Sequence, residues 1–306
     1  MNYLPLDIQL HILSFLPKPS LIRLMLTSEK MRKVCLDNFL WKEISLHYKE
    51  DDIVKVFINE VLPVVNSNVE KVYFGSFFMG DLNMIFHYHL MNLKSLILCN
   101  AASMGRPELE QICFLKKLIT LVLIDCPNIT DRFLELMSKN LKHLEVIKII
   151  TCSSHVTDKG IIALCTSNSN LKELALRGFQ RLTSTCFERI SSTCQGLRKL
   201  SCEGCFKAEW EGFLSILINC PDLEELDLSY CLEIDDRLFH FERCNLRILS
   251  LRGCGKLSIP LGDVICPTRF PLLSYLNVSE CPLMHLSESS LKIIIELFGN
   301  KLCIVS

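Results

Sequence analysis

The chain has 306 residues, enough for one long domain or two ordinary ones, with 33 basic and 34 acidic side chains and a net charge of -1. No basic stripe interleaved with aromatics is present, which argues against nucleic acid as a partner. Hydrophobic residues make up 49% of the chain, yet no apolar run reaches the roughly 18 residues that cross a bilayer, so this apolar content is expected inside a regular architecture or on a partner surface. The opening stretch MNYLPLDIQL has no basic region followed by an apolar core, and the 17 cysteines are odd in number. Free thiols in a reducing compartment, cytoplasmic or nuclear, are therefore expected.

The first segment, residues 1–46, is helical by pattern. LPLDIQLHILSFLP is apolar at positions 4, 6, 8, 10, 12, 13, 15 and 16. On a helical wheel Ile8, Ile12 and Phe15 share one side, and Leu6, Leu10 and Leu13 share another. A helix apolar nearly all round must be covered all round. A segment this short cannot enclose both faces of its own helix, so one face is expected to meet another surface, either a partner or the rest of the chain. Pro17 and Pro19 end the first helix, Ser20 and Thr27 can start the next two, and Asp37 or Asn38 a fourth. Trp41 is expected in the core of this segment. Residues 47–68 carry Ile53, Val56, Phe57 and Val61 at helical spacing and are expected to form a bridging helix that caps the core of the remaining chain.

From residue 69 a repeat takes over: apolar, two residues, apolar, one residue, apolar, two residues, then usually cysteine. It reads Leu118, Leu121, Leu123, Cys126, and returns as Leu144, Ile147, Ile149, Cys152. The later copies start at Leu171, Leu197, Leu223, Leu246 and Leu273, and weaker ones at Val69 (with Phe77) and Leu93 (with Ala101). The steps between copies are 24, 25, 26, 27, 26, 26, 23 and 27 residues. The alternating core of each copy fits a short strand. Between copies lie helix-length segments, with Thr130-Asp131 and Thr157-Asp158 placed to cap them. Pro260, Pro267 and Pro271 predict an irregular loop before the last clear copy. Outward strand positions are apolar early (Val122, Ile124, Val146, Ile150) and polar or aromatic later (Arg177, Glu203, Tyr230, Arg252, Tyr275, Glu280). Arg and Tyr are enriched where binding energy concentrates, which selects Arg177, Tyr230 and Arg252, with Glu203 and Tyr275 beside them, as candidate binding residues.

Three features could carry chemistry. Cys202 and Cys205 form a C-x-x-C, but in register Cys202 replaces a core leucine and Cys205 belongs to the cysteine column, so both are expected to be buried hydrophobes rather than metal ligands. His87 and His89 stand at strand spacing and are expected on a surface. Cys303-Ile304-Val305-Ser306 fits a C-a-a-X box for lipidation, or else the last strand, with Leu302 and Ile304 inward. No Walker, nucleophile-elbow or zinc-protease motif occurs, so no catalytic residue, metal or cofactor is expected.

CPNITD, HVTD and CPDLEELDLSYC resemble the cysteine-containing leucine-rich repeat, over roughly residues 69 to 305. LPLDIQLHILSFLP together with LDNFLWKEI resembles the F-box, although Met31 stands where an aromatic is usual and Gln9 where an apolar residue is common. The resemblance implies a division into an F-box (1–46), a bridging helix (47–68) and a right-handed α/β solenoid (69–306) of about nine repeats and a terminal strand, with strands concave and helices convex. It implies a substrate-recognition subunit of a cullin-based SCF ubiquitin ligase, itself not an enzyme. A Skp-type adaptor would bind Leu4, Pro5, Ile8, Ile12, Leu13 and Leu16, the cullin would be joined through the adaptor, and a protein substrate would meet the concave face. Membrane association would arise only through a lipid on Cys303. The alternative is a non-ligase repeat scaffold whose first helix packs on its own repeats.

Overall fold

The computed structural model describes the chain apart from residues 1–3, 47–50, 76–89, 101, 103, 151–154, 284–293, 295, 299–301 and 306. His87, His89, Phe77, Ala101 and Cys152 lie outside the described residues.

Three short helices open the structure: α1 (Leu6–Ser14), α2 (Lys18–Met25) and α3 (Glu29–Cys35). Pro5 precedes α1, and Asp7 sits in its first turn where the helix dipole favours an anion. α2 begins earlier than Ser20, because Pro17 and Pro19 preset the backbone of its first turn rather than merely ending α1. α3 is capped by Ser28, whose hydroxyl accepts from the Met31 N–H at 3.2 Å, while Thr27 donates backwards to the Leu24 carbonyl at 2.7 Å. Asp37 caps the following 3₁₀ turn, Asn38–Trp41, by accepting from the Phe39 N–H at 2.9 Å. Trp41 is fully buried, and its indole N–H donates to the Cys35 carbonyl at 2.6 Å. Met31 is half-buried against the same core.

Among the described residues, eleven parallel strands then form one sheet in strict chain order. They are β1 (Glu43–Leu46), β2 (Lys71–Phe74), β3 (Ser95–Cys99), β4 (Thr120–Ile124), β5 (Val146–Ile150) and β6 (Glu173–Arg177). β7 (Lys199–Ser201), β8 (Glu225–Asp227), β9 (Ile248–Ser250), β10 (Tyr275–Asn277) and β11 (Cys303–Val305) complete the sheet. β1 has no counterpart in the repeat pattern: EISL carries too few positions to show a period, yet it pairs with β2 and makes the end of the helical segment the first rung of the sheet. Between β1 and β2 runs a continuous helical path, α4 (Asp51–Val56), a π turn (Phe57–Val61) and α5 (Leu62–Val65). Pro63 has no N–H to give, and the winding loosens just ahead of it. Phe57, Ile58, Val61, Leu62 and Val65 are buried, and Phe57 lies 6.0 Å from the Trp41 ring. This stretch shares the core cluster with the strands and packs against the first helices.

The inward column runs Ile44, Val72, Leu96, Leu121, Ile147, Leu174, Leu200, Leu226, Leu249, Leu276 and Ile304, one residue per strand. Helices α6 (Arg106–Gln111), α7 (Asp131–Asn140), α8 (Asp158–Ser167), α9 (Ser184–Thr193) and α10 (Trp210–Asn219) cover this side. The shortest repeat, between Leu223 and Leu246, has only a 3₁₀ turn, Asp236–Phe239. The proline-rich stretch keeps one helical turn, α11 (Leu261–Val264), rather than a wholly irregular loop. No described helix is long and apolar enough to cross a membrane.

Two sets of polar links bind repeat to repeat. Asp131 accepts from the Thr157 N–H at 2.9 Å and the Thr157 hydroxyl at 2.6 Å. Asp158 does the same for Thr183 at 2.9 and 2.5 Å, and Asp236 for Ser258 at 2.8 and 2.6 Å. Thr130 caps its own helix as expected, through Phe133 N–H, but Thr157 and Thr183 do not: their hydroxyls are spent on the preceding repeat. In the core, buried ladder thiols reach back in the same sense. Cys205 donates to the Leu176 carbonyl (3.3 Å), Cys231 to Cys202 (3.1 Å), Cys254 to Leu228 (3.2 Å) and Cys281 to Leu251 (3.0 Å). Cys202 and Cys205 are both fully buried, and burial first of all pushes the Cys202 thiol well above its ordinary pKa.

Candidate interaction surfaces

The first surface is the outer side of α1. Gln9, a polar residue in an apolar frame, is buried, and its amide N–H donates to the Leu4 carbonyl at 2.6 Å, which fixes the entry of the chain into the helix. Around it Leu4, Pro5, Leu6, Ile8 and Ile12 are exposed, and Phe15 is 75% exposed. Of the six residues expected at this surface, Leu4, Pro5, Ile8 and Ile12 lie on it together. Leu13 does not: it is fully buried in the segment's own core, because the turn of α1 that carries it faces the other helices. Leu16 is half-buried against that core and reaches the surface only at its edge. Leu6 and Phe15 belong to the exposed set although they stand outside the expected one. The wheel groups Phe15 with Ile8 and Ile12, so the signal is present for that residue.

The second surface is the outer side of the sheet. Small residues, Ala175, Ser201 and Ser250, floor a hollow of about 480 Å³ across β5 to β10. Cross-strand ion pairs wall it: Lys148–Glu173 at 3.0 Å and Lys199–Glu225 at 2.8 Å. Arg177 spans three strands, meeting Ser201 at 3.1 Å, Glu203 at 3.1 Å and Asp227 at 3.3 Å. Asp227 in turn accepts from Ser201 and from the Ser229 N–H and hydroxyl. These charges satisfy one another, so the hollow presents no unmatched sign.

The five expected binding residues do not form one column. Arg177 lies at the end of β6, with Glu203 and Arg252 at equivalent places just past β7 and β9. Tyr275 stands at the opposite end of its strand, where it lines the hollow. Tyr230 is past its strand altogether, in a left-handed turn with φ of 57°. The equivalent turn of other repeats holds Asn100, Asp125, Gly178, Gly204, Gly253 and Glu280, all at positive φ. A large residue there is strained, and Tyr230 and Glu280 are bound to each other. The Tyr230 hydroxyl donates to Glu280 at 2.7 Å, Arg252 donates to the same carboxylate at 2.5 Å, and the guanidinium lies 5.4 Å from the Tyr230 ring. The Tyr230 ring crosses Gly253 to get there: a Cβ on Gly253 would fall 2.5 Å from its Cδ1. Arg252, and then the Tyr230 hydroxyl, hold the Glu280 carboxyl below its ordinary range, and the Glu280 bond raises the Tyr230 phenol. Among the outward apolar residues, Val122 is buried, while Ile124, Val146 and Ile150 are half-buried. Cys303 is exposed at the head of β11 and donates its N–H to the Ser274 carbonyl at 2.9 Å, while Ile304 packs on the core.

Among the described residues, a helical segment with an exposed apolar set is thus followed by a stack of strand–helix units. Residues 1–47 match the F-box-like family. No curated protein matches the chain. Among solved structures the chain is similar to one in the crystal structure of the Rad7 and Elc1 complex in yeast, at 15% identity and a TM-score of 0.50, covering 80% of this chain and 77% of that one. It also overlaps a tropomodulin C-terminal domain from Caenorhabditis elegans, at 13% identity and a TM-score of 0.30, covering 37% of this chain and 75% of that one, which is too loose to carry an argument. Residues 1–47 are thus F-box-like, and the described residues beyond them form a stack of parallel strand–helix repeats.

Proposed function

We propose that this protein is the substrate-recognition subunit of an SCF-type ubiquitin ligase. Its α1 surface docks on a Skp-type adaptor, the adaptor joins it to a cullin, and the outer face of the sheet holds a target protein. The observation that supports this reading is the exposed apolar set Leu4, Ile8, Ile12 and Phe15 of an F-box-like segment, of which Ile8, Ile12 and Phe15 share one side of α1. The scaffold alternative requires that face to pack on the repeats, and its exposure runs against it. The Rad7 structure, which is a complex with Elc1, is in keeping with a partner for such a chain. The protein supplies no transferring group. Its contribution is proximity, a raised effective concentration of target lysines near the charged enzyme.

Burying an aliphatic or aromatic side chain contributes about 1.5–3 kcal/mol, so removing two from the docking face costs about 3–6 kcal/mol, or a hundredfold and more in affinity. The test is co-purification of full-length protein with adaptor and cullin. Ile8→Asp with Ile12→Asp, and separately Leu4→Ala with Pro5→Ala, are expected to lose both partners while the thermal midpoint of the purified chain stays within a few degrees of the parent. Retention of the adaptor by both double variants would overturn the reading.

A further inference from the structure

At the rim where the strands end, a second depression of about 330 Å³ adjoins the central hollow. Its floor is backbone, Gly178 and Gly204, and its apolar walls are Ile150, Phe206 and Tyr230. Gly204 is in the left-handed region at φ of 73°, and a Cβ there would stand 3.8 Å from the Phe206 ring and 3.7 Å from Gly178 Cα. Glycine at these two turns takes the left-handed backbone without strain and leaves the floor open. One wall is fixed in advance: Tyr230 is held across Gly253 by Glu280 and Arg252. The charged pair beside it, Arg177 with Glu203, is closed on itself at 3.1 Å. This depression thus offers a rigid apolar slot with no unmatched charge.

Phe206 has a second face. It also lines a shallower basin of about 660 Å³ on the adjoining loops, with Glu188, Glu209, Glu211 and Glu233 against one cation, Lys207. Of the neighbouring cations, Lys256 pairs with Glu233 of the basin, while Arg237 chelates Asp235 and stacks 4.9 Å from the Trp210 ring. Glu188 and Glu209 make no ion pair with any described residue. Slot and basin meet at Phe206, which lines both, and together they make a groove.

We propose that this groove is the target-docking site, and that its occupant is a protein segment carrying one apolar anchor side chain flanked by lysine or arginine. The anchor fills the slot between Phe206 and Tyr230, and the basic residues lie over Glu188 and Glu209. Charge complementarity selects this occupant over an acidic or phosphorylated one. The proposal rests on the receptor reading only in treating the occupant as a ligase target.

The experiment is selection of a random-peptide display library on the purified full-length protein, followed by anisotropy titration of the enriched peptides. Enrichment of an aliphatic or aromatic residue close to lysine or arginine is expected. Phe206→Ser is expected to weaken the enriched peptides about tenfold or more, and Glu188→Lys with Glu209→Lys to weaken them similarly and remove their salt dependence. All three residues are exposed, and each variant is checked for parental melting. Enrichment of acidic peptides, no enrichment, or binding indifferent to both variants would overturn the proposal. Adaptor co-purification by the same variants is read in parallel. Its persistence with a failed selection sinks the groove alone, whereas loss of adaptor from the parent protein with intact peptide binding sinks the ligase reading alone.

Discussion

Each cysteine of the ladder replaces no chemistry that a leucine would supply; it adds a hydrogen bond that a leucine cannot make. The register makes their burial legible, since Cys205, Cys231, Cys254 and Cys281 recur at one position of the repeat. The acceptor is not legible, because it is a carbonyl of the preceding rung whose distance depends on how the strands stack. Burial first of all pushes the thiols of Cys113 and Cys220 up to about 12 and that of Cys244 to about 11. Among the described cysteines, Cys303 is exposed and Cys99 and Cys266 are half-buried. Burial raises the Cys266 thiol, but the Thr268 hydroxyl and the bonds around Arg269 outweigh it and leave it lowered. In a native alkylation experiment followed by mass mapping, Cys266 and Cys303 are expected to label first. Cys202, Cys205, Cys231 and Cys254 should label only at the rate of unfolding, and prompt labelling of any of these four would contradict the packing described. Tyr230 offers a separate check. Gly253→Ala places a side chain at φ of 67° and against the Tyr230 ring, at a cost of about 1–2 kcal/mol for the backbone alone. It should release the phenol from Glu280, so that the pKa of Tyr230, read by difference titration against Tyr230→Phe, falls back towards 10.0.

At the level of elements, the repeat strands from β3 to β10 coincide with alternating cores visible in the sequence, because one side of each strand must be apolar and the other need not be. What escaped is what alternation cannot encode. β1 is too short to show a period, and the 3₁₀ turn at Asp236–Phe239 arises from a shortened spacing whose local shape is not fixed by pattern. Thr157 reads as a cap, since a threonine before an aspartate at a helix start has that local role, but the preceding repeat's carboxylate competes for the hydroxyl. The same ambiguity affects α1, which is apolar on nearly every side. A wheel says that two faces are apolar without saying which is covered, and Leu13 falls on the covered one. The clamp between Asp158 and Thr183 should be measurable as a coupling. Asp158→Ala is expected to destabilise the protein by about 1–3 kcal/mol, and Thr183→Val by less. In the double variant the losses should not add, the shortfall giving the coupling. Full additivity in denaturant titrations would show that the clamp contributes nothing to stacking.

For the whole molecule, the links between repeats share one sense. The three aspartates each clamp the repeat after them, and the thiols of Cys205, Cys231, Cys254 and Cys281 each reach the repeat before them. Such an array tolerates a change in the number of units better than a change within one. The two candidate surfaces sit at different stations along it, the exposed face of α1 on the segment that leads into β1 and the rim groove around β7. Six strand steps separate those stations, a contour of about 29 Å at the usual strand spacing. Under the proposed function, the sheet would act as a ruler between the adaptor and the target. Inserting one whole repeat between β4 and β6 should leave folding, adaptor capture and peptide binding intact while moving the bound segment about 5 Å along the sheet. The set of target lysines that receive ubiquitin should then shift, whereas an insertion beyond β9 should leave that set unchanged.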